Sequence, residues 1–125
     1  MTTADGARGT RPVRIANCSG FFGDRLSAAA EMVDPAVLDE SPIDVLTGDW
    51  LAELTMLILH KQRARNSELG YAGTFLTQVE QVLGTCLERG IKVVTNAGGL
   101  NPAGCADRVR SIADRLGLSA NVAHI

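Results

Sequence analysis

Ile91-Lys92-Val93-Val94-Thr95-Asn96-Ala97-Gly98-Gly99-Leu100-Asn101-Pro102-Ala103-Gly104 passes from a short apolar run through a polar, glycine-rich turn into a helix start. Residues 91–94 read as a buried parallel strand, entered from Arg89-Gly90 with glycine where a helix stops. Asn101-Pro102 is a helix-start pair: the Asn side chain accepts from orphan backbone N–H groups, and Pro at the next position loses nothing by lacking its own. A strand that ends in glycine and opens a helix is the repeating unit of open α/β sheets, which bind ligands at the carboxyl ends of their strands.

Outward from this stretch the same pattern recurs. Val13 to Asn17 is an apolar run ending at Cys18-Ser19-Gly20, Ile43 to Leu46 ends at Thr47-Gly48-Asp49, and Asn121 to Ile125 reads as the beginning of a fourth strand. Segments of helical period lie between them. Leu26, Ala29, Ala30 and Val33 share one face, and Leu51, Leu54, Leu57 and Ile58 share another on a longer helix after Gly48-Asp49. Phe75, Leu76, Val79, Val82, Leu83, Cys86 and Leu87 form the clearest stripe; Val109, Ile112, Ala113 and Leu116 form one closed by Gly117. Asn66 to Gly73 interrupts the long middle connection. The expected order is β-α-β-α-α-β-α-β, an α/β fold with an open parallel sheet and right-handed helical crossovers, Rossmann-like in kind.

The 125 residues, 46% of them hydrophobic, suit one domain with a real core. Residues 1–12 read as a flexible polar leader and 13–125 as the α/β domain. An incoming strand at the end makes this an N-terminal portion of a longer architecture, or leaves an edge for a second copy or a downstream domain. With 12 basic and 14 acidic residues interspersed, the chain lacks the electrostatic footprint of a nucleic-acid or membrane-surface binder. Apolar runs such as Leu57-Ile58-Leu59 fall far short of the roughly 20 residues that span a bilayer. The leader has Arg8 and Arg11 but no apolar segment of a secretory signal, so the default compartment is the cytoplasm. Cys18, Cys86 and Cys105 are widely spaced and read as reduced thiols, and with only His60 and His124 no metal-ligand spacing occurs. No pattern names a cofactor.

Candidate ligand residues follow from the strand ends. Gly98, Gly99 and Gly104 leave a corner without side chains, with Asn101 as cap. This suits a cradle for phosphate, pyrophosphate or carboxylate, or equally a tight turn whose glycines meet packing demands. Neither a Walker sequence nor Gly-x-Gly-x-x-Gly is present. Gly20-Phe21-Phe22-Gly23-Asp24-Arg25 opens the first helix: Arg25 offers bidentate recognition of an anion, or pairs with a neighbouring acid, and Asp24 suits a cap. Asp49, with Glu53 one turn later, is the candidate acid or base, or else a helix N-cap followed by a first-turn acid. Asn17, Ser19, Gly20 and Asn96 are positioned donors and acceptors. Cys18 at a strand end and Cys105 in a first helical turn are candidate nucleophiles without a histidine neighbour, or small buried apolar groups.

Three segments in order, Arg14 to Arg25, Asp44 to Met56 and Thr95 to Pro102, closely resemble the start of the acyclic terpene utilisation protein A family. The resemblance covers nearly the whole chain after the leader; Phe22 and Trp50 stand where many relatives carry tyrosine. It implies a place in bacterial breakdown of citronellol- and geraniol-type terpenes through CoA thioesters. The ligand it implies is a terpenoid acid or its CoA thioester. The competing expectations are a non-catalytic accessory or interaction module, with chemistry on a partner or downstream domain, and a truncated pseudoenzyme.

Overall fold

The computed structural model describes residues 11–125. Apart from Arg11 and Pro12, the expected leader lies outside the described residues. Arg11 itself is tied down, its guanidinium donating to both carboxylate oxygens of Asp44 at 2.9 and 3.1 Å.

Three short parallel strands form the sheet: β1 (Ile15–Asn17), β2 (Val45–Gly48) and β3 (Lys92–Thr95), ordered β1-β2-β3. Ile15 pairs with Val45, which pairs in turn with Lys92, and Asn17 pairs with Thr47, which pairs with Val94. Two successive crossovers of one hand, moving in one direction across a sheet, lay their helices on the same face. Exposure agrees with that rule. Leu46 is buried, with Ala16 and Val93 packed against the core, whereas Ile15 and Val94 on the alternate face are 63% and 58% exposed.

The described residues form five helices: α1 (Ala28–Met32), α2 (Pro35–Glu40), α3 (Glu53–Arg65), α4 (Gly73–Arg89) and α5 (Pro102–Arg115). The stripe from Phe75 to Cys86 makes α4 the centre of the helical layer, in contact with α1, α5 and β3. Each of its large apolar side chains, once buried, contributes about 1.5–3 kcal/mol. Gly90, in the left-handed region at φ 67°, closes α4 as its sequence position implies.

Three expectations need correction. The single helix between β1 and β2 is two, because Asp34 accepts from Ala36 N at 2.9 Å and Pro35 starts a new helix. Leu26 precedes the first of these and is exposed. The face of Leu51, Leu54, Leu57 and Ile58 does not cover the sheet. α3 buries Thr55 and Leu59 instead, with Leu54 68% exposed, since it packs over the turn that follows β3. Finally, Asn121 to Ile125 forms no strand. Gly117 turns the chain at φ 70°, Leu118 N returns to Ala113 O, and the Val122 carbonyl accepts from Arg110 Nη2 at 2.9 Å. The tail's hydrogen bonds go to α5 rather than to the edge of β3.

Candidate functional site

The strand ladder continues past its formal ends. Cys18 N donates to Thr47 O at 2.8 Å and Asp49 N to Ser19 O at 2.9 Å, so the loops leaving β1 and β2 start side by side. Asn96, one residue beyond β3, reaches across with its whole amide. Its Nδ2 donates to Asp49 Oδ1 at 2.8 Å, and its Oδ1 accepts from Trp50 N at 2.8 Å. Asp49 is not the cap of α3; Ala52 holds that position with no side-chain bond. The carboxylate is exposed, and among the described residues its Oδ2 accepts no hydrogen bond. Side chains alternate along a strand. Asn17, in register with Thr47, therefore projects on the same uncovered face two residues before the Asp49 level, and it too is exposed.

The other expected site residues are placed differently. Ser19 is buried beside Gly48, with its hydroxyl donating to Phe21 O at 2.9 Å. Gly20 N donates to Asp24 Oδ2 at 2.9 Å and Arg25 N to Asp24 Oδ1 at 2.8 Å. These two backbone N–H groups hold the Asp24 carboxyl below its ordinary pKa, and Asp24 folds its own loop rather than capping a helix. Arg25 Nε donates to Glu31 Oε2 at 3.0 Å on the surface.

The glycine corner after β3 is filled by the chain itself. A Cβ on Gly98 would stand 2.8 Å from Pro102 Cα, and one on Gly99 would stand 2.6 Å from Leu59 Cδ1 and 2.9 Å from Gly70 O. A Cβ on Gly104 would likewise run into the Asn101 side chain. Asn101 caps α5 through Gly104 N at 3.0 Å, and its Nδ2 donates to Glu68 O and Leu69 O at 2.9 and 3.1 Å. Arg63 Nη1 donates to the Leu100 carbonyl, closing the corner from α3.

The thiols are buried. Desolvation raises Cys18, whose Sγ donates to Gln78 Oε1 at 3.4 Å, and pushes Cys86 and Cys105 up to about 11. At Cys105 burial outweighs the helix field that would favour thiolate. Among the described residues no group of three metal-ligating side chains occurs.

Two positioning residues escaped the sequence reading. Trp50 is fully buried, edge-on to Phe75 at a centroid distance of 6.1 Å, and its backbone N–H is what anchors Asn96. A Cβ on Gly48 would meet Trp50 Nε1 at 2.7 Å, so the Gly48-Asp49-Trp50 order carried the signal. Gln78 is the other: buried in the apolar stripe of α4, it donates to Arg25 O at 3.2 Å and accepts from Cys18. A lone amide among Leu76, Val79 and Val82 was the visible mark.

No curated protein and no solved structure matches the chain. The family model of the Acyclic terpene utilisation family protein AtuA matches residues 13–125, the whole described fold from just before β1 to the last residue, and the chain belongs to that family.

Proposed function

We propose that the chain serves acyclic terpene utilisation by holding a terpenoid acid, or its CoA thioester, at the carboxyl ends of β1, β2 and β3. The reading rests on one observation: Asp49 is an exposed carboxylate locked by Asn96 at 2.8 Å and not spent on a helix cap. With Oδ1 held, Oδ2 is presented in a defined direction, as an acid or base for a substrate proton requires. Asn17 and Asn96 supply neutral hydrogen-bonding groups on the same side. The loop of Ser19 and Gly20 flanks the ligand, while the closed turn from Gly98 through Asn101 to Gly104 acts as the scaffold behind Asn96 rather than as a cradle. Arg25 would reach an anionic headgroup by leaving Glu31, an exchange of one exposed ion pair for another that costs little.

A second reading, an accessory module whose partner performs the chemistry, is favoured by a specific feature. All three thiols are buried, and Cys18 is paired with an amide rather than a base.

Calorimetric titration of citronellyl-CoA and geranyl-CoA into the wild type, Asn96→Ala and Asp49→Asn tests the site, with circular dichroism confirming that both variants fold. Weaker binding by both variants is expected. Unchanged affinity in both would remove the strand-end site. Binding by the wild type without turnover would leave the accessory reading in place of the catalytic one.

A further inference from the structure

Between the covered face of the sheet and α4 lies a cavity of about 10 Å³, whose wall includes Cys18, Gly48, Trp50, Phe75, Gln78 and Thr95. That is close to one water-sized sphere, about the least space that holds a water molecule. Most of the remaining wall is aliphatic, from α1, α4 and the middle of the sheet. One group on it breaks the rule for protein interiors. Trp50 Nε1 is fully buried and, among the described residues, is the one buried side-chain nitrogen or oxygen atom without a hydrogen-bond partner. Buried N–H groups are nearly always paired, because an orphan forfeits its hydration and receives nothing in return. The indole edge that carries it lies against the cavity wall, since a Cβ on Gly48 would stand 2.7 Å from Nε1.

Two other side chains on that wall have hydrogen-bonding capacity to spare. Gln78 uses one amide hydrogen on Arg25 O and one Oε1 lone pair on the Cys18 thiol, which leaves one of each. Thr95 donates its hydroxyl to Gly48 O and accepts from Ala97 N, so its oxygen keeps a lone pair. A single small molecule that accepts from the indole and donates to these oxygens would satisfy all three. It has to be neutral, because no charged side chain lines the cavity. It also has to carry two donors and an acceptor in the space of one oxygen atom.

We propose that this cavity holds one ordered water, which accepts from Trp50 Nε1–H and donates to Gln78 Oε1 and Thr95 Oγ1. Three hydrogen bonds are the usual complement of a buried water. The water ties the Trp50 side chain to the end of β3 and to α4, while the Trp50 backbone N–H holds Asn96. Trp50 is thereby fixed at both ends, in the core and at the rim. The water site lies behind the sheet edge, and the proposal does not rest on the strand-end reading.

The test is magnetic resonance on the nitrogen-15-labelled chain. Trp50 is the single tryptophan, so its indole proton gives one resonance. That proton is expected to show cross-peaks to water of opposite sign in the laboratory and rotating frames, the signature of a water held far longer than surface hydration. Oxygen-17 relaxation dispersion should count one long-lived water fewer in Trp50→Phe, which removes the donor and keeps an aromatic ring. Gln78→Met, which keeps the length of the side chain and removes its amide, should shorten the residence of that water about ten-fold or release it. Should Trp50→Phe not fold, the wild type and Gln78→Met still decide. The proposal fails if the wild-type indole proton has no such cross-peaks. It fails equally if that proton resonates upfield of the ordinary indole range, which would put the N–H on the face of the Phe75 ring instead. An unchanged count in folded Trp50→Phe, or an unchanged residence in Gln78→Met, would also overturn it.

Discussion

The loops leaving β2 and β3 begin one strand apart and spend their polar groups in opposite ways. After β3, Gly98, Gly99 and Asn101 are consumed by Pro102, Leu59, Gly70, Glu68 and Leu69, and the corner closes on itself. After β2, Asp49 is fixed by a single amide and keeps one oxygen directed outward. Glycine and asparagine in a strand-end turn are thus no sufficient sign of a ligand. What separates the two loops is whether the chain's own atoms reach the space first, and α3 reaches only one of them.

The largest effect that would break this contrast belongs to Gly99→Val. The residue sits at φ 55° and its side chain would run into Leu59 and Gly70 O, so a loss of about 3 kcal/mol or more is expected in urea unfolding. A variant as stable as wild type would mean the corner has room for a ligand after all. Asn101→Ala comes next, at about 1–2 kcal/mol, because it removes the α5 cap together with the bonds to Glu68 O and Leu69 O. Its amide exchange should rise at Gly104.

Asn96→Ala sharpens the other side of the comparison. It frees Asp49 and leaves Trp50 N unpaired, for a cost of about 1 kcal/mol, and hydrogen exchange should accelerate at Trp50 more than at Gly104. At the opposite end of β2, Asp44 shows what a carboxylate fully committed to structure does. The Arg11 and Arg14 guanidiniums and the Arg14 backbone N–H hold its carboxyl well below the usual range. Its folded-state pKa is depressed, so its stabilisation is present above the unfolded value of about 3.9 and is lost as pH falls through the folded one. Melting temperature should therefore drop more steeply below about pH 4 in wild type than in Asp44→Asn. Smallest of all, Asp49→Asn should change stability by no more than about 0.5 kcal/mol, despite weakening the proposed ligand; a large loss of stability would make Asp49 structural like its neighbours across the rim.

The strands and the long helix α4 were legible because their apolar spacing survives any environment: a stripe from Phe75 to Cys86 has one way to be buried. The α3 face misled for the same reason. Leu54 and Leu57 carry the right period, yet the preceding loop aims the helix at the turn after β3, and periodicity holds no information about aim. The tail from Asn121 to Ile125 has strand-like composition, but Arg110 on α5 captures its carbonyl. At the site, Asp49 and Asn96 were visible as polar residues at strand ends. Their direct bond was not, since it joins residues 47 positions apart.

The order of residues alone determined the α/β class, the parallel strands and the polar character of their carboxyl ends, because local propensity and hydrophobic period act over a few residues at a time. Tertiary structure decided which polar ends remain available: Leu59, Pro102 and Gly70 occupy the glycine corner, Glu31 holds Arg25, and Asn96 orients Asp49. Occupancy of space and competition for hydrogen bonds are settled between distant parts of the chain, so they appear only once the helices have been packed.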